Sequence, residues 1–163
     1  MTTAKETINE LLDRVSDPEI PVLTVRDLGI IREVNIGEHN SIEVVITPTY
    51  SGCPAMNTIE VNIRAVLQEA GYEKVKVKTV LRPAWTTAWI SEEGRKKLRE
   101  YGIAPPEEDT ADKGALFPED KKVTCPHCGS RDTKMISQFG STPCKSQYQC
   151  KSCLEPFDYF KCH

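Results

Sequence analysis

The sequence predicts an α/β (α+β) fold: a small sheet of three to four strands packed with helices, then a separate C-terminal module closed by cysteines. Three observations predict it. Helical and alternating apolar patterns interleave through residues 1–104; residues 105–122 lose that periodicity and gain prolines and acids; and two Cys-x-x-Cys pairs stand 21 residues apart near the end.

Thr3-Ala4-Lys5-Glu6 has the spacing of a capping box, and Ile8, Leu11, Leu12 and Val15 recur at helical intervals, so a first helix is expected to reach about Val15. Pro18 and Pro21 forbid its continuation. Asp17-Pro18-Glu19-Ile20-Pro21 therefore reads as a rigid extended turn displaying two acids. The β-branched runs 30–36 and 41–47, separated by Gly37-Glu38-His39-Asn40, predict a hairpin. A second helix should span 55–70, with Ile59, Ile63, Val66 and Leu67 on one face and Gly71 at its end. Residues 75–80 alternate cleanly, as a strand of an antiparallel or mixed sheet with one wet face does. A short charged helix is expected over 91–101, opened by Ser91 and closed by Gly102.

The 163 residues divide on this reading into a domain over 1–104, an acidic Pro-containing linker over 105–122 and a small module over 123–163. The net charge of −3 hides an asymmetry, with −2 on residues 1–104, −5 on 105–120 and +4 on 121–163. A tail of +4 can steer an acidic partner but falls short of a nucleic-acid-binding face. No apolar run approaches the ~20 residues of a membrane span, and the N-terminus lacks the pattern of a signal peptide. The expected location is cytoplasmic, where seven reduced cysteines point to metal or thiol chemistry rather than disulfides.

Cys125-Pro126-His127-Cys128 and Cys150-Lys151-Ser152-Cys153 each let a tight turn offer two thiolates to one tetrahedral ion, which makes residues 123–163 a zinc ribbon. Four thiolates leave no open coordination position, so the zinc is structural and supplies folding free energy on the order of 10 kcal/mol. A rubredoxin-like iron or an iron–sulfur cluster is the competing occupant of such a set. Cys144, Cys162 and His163 are left over; Cys144 reads as a small buried apolar residue, and the three together as an additional metal or redox site.

Cys53 stands between the second strand and the second helix, followed by Pro54 at a position suited to a first helical residue. As the N-cap, its thiol would feel the positive helix end, which favours thiolate; the competing reading is a buried structural cysteine. Nothing resembles a nucleotide-binding fingerprint, a Ser/His/Asp order or the Glu-x-x-His pairs of a di-iron oxygenase, so no catalytic residues are assigned.

Asp17-Pro18-Glu19-Ile20-Pro21, Asp27-Leu28-Gly29-Ile30, Thr49 with Cys53-Pro54, and Arg82-Pro83-Ala84-Trp85-Thr86 together resemble iron–sulfur cluster assembly factors of the SufT type. With the ribbon ending Glu155-Pro156-Phe157-Asp158-Tyr159-Phe160-Lys161-Cys162-His163, the whole chain resembles the PaaD family, accessory subunits of the phenylacetyl-CoA epoxidase system of aerobic phenylacetate degradation. The resemblance implies a small mixed sheet and a site around the Cys-Pro turn. In it, Cys53 would bind or pass on iron or a cluster, and Asp17, Glu19 and Thr49 would surround it. It implies no turnover of substrate. The role implied is maturation of the epoxidase's reductase subunit, with iron–sulfur assembly machinery and epoxidase subunits as partners. One thiol cannot hold a cluster, so a homodimer or a client must complete the site. The alternatives are a structural adaptor that docks epoxidase subunits through the ribbon and, last, a nucleic-acid-binding ribbon.

Overall fold

The computed structural model describes residues 3–49, 52–106, 122–142 and 144–160. The chain divides into two compact units, Met1–Gly94 and Arg95–His163. Each unit holds its own sheet, and most of the helix belongs to the first, as an α+β chain would have it.

The first unit opens with α1, Ala4–Leu12, whose capping box is formed: Thr3 accepts from the Glu6 N–H, and Glu6 accepts from the Thr3 N–H. The helix ends three residues before Val15, which is nonetheless buried in the turn that follows. Strands β1 (Ile31–Ile36) and β2 (Ile42–Ile46) are antiparallel and joined by a tight turn in which His39 and Asn40 adopt positive φ. After β2 comes α2, Ala55–Glu69, and after α2 comes β3, Val75–Thr79, which lies parallel to β2. The sheet order is β1-β2-β3, mixed as the resemblance implied. Ile42, Val44 and Ile46 on one face of β2 are buried, as are Ile59, Ile63 and Leu67 of α2 and Ile8 and Leu12 of α1. Alternation in β2 and the 3.6 period of the helices supply this core.

Two of the sequence motifs interlock in this unit. Leu28 accepts a 2.7 Å hydrogen bond from the Trp85 indole, Asp27 accepts from the Ser91 N–H through its carbonyl at 2.8 Å, and Arg32 lies over the Trp89 ring at 3.8 Å. Segments some sixty residues apart are thereby held together around Gly29, whose φ is +70°.

The second unit contains a four-stranded sheet of order β4-β7-β6-β5: β4 (Ile103–Ala104), β5 (Thr133–Ser137), β6 (Lys145–Cys150) and β7 (Pro156–Phe160). The helix α3, Glu92–Tyr101, leads into β4. Residues Arg95–Ala104, expected in the first domain, fall in this second unit. The cause is local: Ile103 and Ala104 are buried and pair in parallel with Asp158 and Tyr159 of β7. Tyr148 is at the centre of the core, stacked on Phe157 at 5.9 Å and edge-on to Tyr159 at 5.6 Å, with Ala104 and Val123 buried in the same cluster. Of the acidic segment, residues 107–121 lie outside the described residues, as do Cys162 and His163.

Candidate metal centre and the Cys53 turn

The two Cys-x-x-Cys turns bring four sulfurs together. The Sγ atoms of Cys125, Cys128, Cys150 and Cys153 all lie within 4.8 Å of one another, and no other group of three or more His, Cys, Asp or Glu ligand atoms gathers among the described residues. Cys125 and Cys153 are 3.8 Å apart and Cys128 and Cys150 3.5 Å apart, close to the ~3.8 Å edge of a tetrahedron with metal–sulfur bonds of about 2.3 Å. Backbone N–H groups also point at the sulfurs: His127 donates to Cys125 at 3.4 Å and Cys153 to Cys150 at 3.5 Å. The donor set thus fits a structural metal ion.

Backbone N–H groups of the second knuckle also act on the acidity of two of these thiols. Donation from the backbone of Cys153, and then of Ser152, draws the Cys150 thiol down to about 6. The Glu155 N–H favours the thiolate of Cys153, but burial and the neighbouring sulfurs outweigh it and push that thiol up to about 12. Loading a metal therefore expels protons. Cys144 is outside this group; it is buried at the start of β6, its sulfur 3.1 Å from the Thr142 hydroxyl. His127 is exposed in the first knuckle.

In the first unit Cys53 lies one residue further from the helix than expected. Pro54 is the N-cap, with φ −68° and ψ −22°, and α2 begins at Ala55. The Cys53 carbonyl accepts from the Met56 N–H at 3.3 Å, so its backbone takes part in the first turn. Gly52, at φ +80° with open space around it, reverses the chain between β2 and α2. Cys53 is half-buried and Thr49 partly exposed.

Asp17 is buried, and its Oδ1 accepts from the backbone N–H groups of Glu19 at 2.8 Å and Ile20 at 2.9 Å. The carboxylate ties its own turn, and the Asp17 N–H closes the loop onto Leu23 at 2.8 Å. Asp17 and Pro18 border a cavity of about 440 Å³ together with Asn62, Ala65 and Val66, which lie further along α2 from Cys53. Glu19 is half-buried. Cys53, Asp17 and Glu19 do not converge as a three-ligand set within one chain. Sequence reading passed over Thr47: it is buried, and its hydroxyl has no hydrogen-bond partner among the described residues. The signal was there, a polar side chain closing the apolar run of β2.

Residues 5–79 match the family described as iron-sulfur cluster assembly protein, and residues 109–161 match the PaaD zinc beta ribbon domain. A protein of Escherichia coli (strain K12), provisionally named as one of the subunits of 1,2-phenylacetyl-CoA epoxidase, is 50% identical over 153 residues, 93% of this chain and 89% of that one. The chain belongs to the PaaD family. An Fe-S protein maturation auxiliary factor of Porphyromonas gingivalis is 36% identical over 58% of the PaaD-family chain and 90% of its own length. The crystal structure of a DUF59 domain from Bacillus anthracis superposes with a TM-score of 0.53 at 26% identity, covering 56% of this chain and 88% of that one. A conserved hypothetical protein of Thermotoga maritima gives 0.51 at 28% identity, covering 60% and 95%. No described helix is long and apolar enough to cross a membrane.

Proposed function

We propose that this PaaD-family chain is a non-catalytic accessory factor of a phenylacetyl-CoA epoxidase system, acting in the cytoplasm to mature the iron–sulfur cluster of the reductase subunit. The observation that carries the proposal is the joining in one chain of a domain matching iron–sulfur assembly proteins with a relative named for the epoxidase over nearly its whole length. The ion of the ribbon is zinc, in keeping with four thiolates at structural-zinc spacing and with the matched family's description. It keeps the ribbon folded.

Cys53 is the working thiol. Cluster transfer through it exchanges one thiolate ligand for another at iron, with no net change in oxidation state. Among the described residues a single chain offers too few ligands around Cys53 to hold a cluster. A second copy of the chain, the donor machinery or the client supplies the rest. The adaptor reading draws on the same observation, since a ribbon with a closed four-sulfur set and an inert Cys53 could simply dock epoxidase subunits. Anaerobic purification with metal analysis separates the two. Cys53→Ser is expected to keep one zinc per chain, lose iron and leave the reductase without its cluster. Full cluster loading by that variant would instead establish the adaptor.

A further inference from the structure

A cavity of about 380 Å³ opens beside the first knuckle, lined by Arg95, Arg99, Pro105, Pro106, Cys125 and Pro126, all in the second unit. We propose that it is a docking site for an acidic segment of a partner protein, one carboxylate meeting the two arginines while a neighbouring apolar side chain lies on the proline wall. This goes beyond the assembly role assigned to Cys53 and does not depend on it.

Arg95 and Arg99 are one turn apart on α3, so their side chains leave the same face. Arg95 is buried, and its guanidinium donates to the Pro106 carbonyl at 2.6 Å, which fixes the planar group at the cavity wall. Arg99 is exposed; its carbonyl accepts from the Gly102 N–H at 3.1 Å, and its guanidinium makes no hydrogen bond or ion pair among the described residues. Two guanidiniums held at one wall, one rigid and one reaching outward, fit a carboxylate, which accepts two parallel N–H bonds. The rest of the lining is pyrrolidine rings and an apolar knuckle with few polar groups. A small metabolite needs several convergent polar contacts for orientation, whereas an acidic side chain presented by a folded partner brings its own.

The test titrates the full-length, zinc-loaded, isotope-labelled protein with a capped tetrapeptide of two glutamates, a proline and a leucine, and with its glutamine counterpart. The glutamate peptide is expected to shift the Thr124 and Gly129 amides and the Arg99 Nε–H. Binding should weaken about tenfold in Arg99→Gln and with the glutamine peptide, the scale of one charge-assisted hydrogen bond. Equal binding by the variant, or no shift at millimolar peptide, overturns the proposal. Tighter binding of inorganic phosphate at the same amides overturns the peptide in favour of a small-anion site. If Arg99→Gln loses zinc faster to a chelator while peptide binding is unchanged, the arginines only balance the charge of the four thiolates, and the proposal falls.

Discussion

The carbonyl oxygen of Trp89 lies 2.5 Å from the point where a Cβ on Gly29 would stand, and the Trp89 Cβ lies 2.7 Å from it. Two segments far apart in sequence meet here at backbone distance, in a conformation with φ +70° at Gly29. Gly29→Ala must both strain the left-handed backbone and push Trp89 away. Its expected cost is about 2–4 kcal/mol, read as a lowered urea midpoint with an unchanged slope. A loss below about half a kcal/mol would mean the two segments are not packed this closely.

Trp85→Phe keeps most of the buried ring but leaves the Leu28 carbonyl without its donor. The expected loss is about 1–3 kcal/mol in chemical denaturation. Faster hydrogen exchange should appear in residues 27–30, whose backbone the indole secures.

Asp17→Asn retains an oxygen able to accept from the Glu19 and Ile20 N–H groups and should fold like the parent. Asp17→Ala cannot accept either bond and should lose about 1–2 kcal/mol. Thermal melts of both variants distinguish a turn-forming carboxylate from one that matters for its charge.

Chelation with a strong zinc ligand, or Cys128→Ser, should unfold the ribbon while leaving the helices of the first unit. The near-ultraviolet signal of the Tyr148 cluster should vanish and the far-ultraviolet helical signal should persist. A tyrosine signal unchanged after metal loss would show that the aromatic core alone holds the sheet.

Burial, with the nearby Tyr159, pushes the Tyr148 hydroxyl from its ordinary value of 10 up to about 12. Below pH 10 the phenol is neutral in folded and unfolded chains and adds no pH dependence. Between pH 10 and about 12 the unfolded chain loses the proton and the folded one keeps it, so stability falls as pH rises. Denaturation midpoints across that interval should drop in the parent and drop less in Tyr148→Phe.

Much of this architecture is visible along the chain. The Thr3–Glu6 box, the apolar stripe of α2 and the alternation of β3 are local patterns that tertiary contacts reinforce. The four ribbon sulfurs needed only their spacing. The two-residue strand Ile103–Ala104 has no pattern of its own; it exists because β7, more than fifty residues later, offers its edge. The joining of Leu28 to Trp85 is likewise non-local, and so two motifs that in the sequence only carry a resemblance turn out to hold each other. Asp17 could be recognised as a turn acid, but the direction of its carboxylate depends on Pro18 and Ile20 being folded. The Cys53 helix start was displaced by a single residue, the margin within which helix ends are usually ambiguous.

The pairing of β4 with β7 also changes the character of the acidic run. Described chain on both sides of residues 107–121 belongs to the same unit, so the run starts and ends on one folded body. Its length then enters only through ring closure, where each doubling costs about 0.6 kcal/mol. A modest change in the number of residues between Pro106 and Lys122 is therefore a small cost to the ribbon.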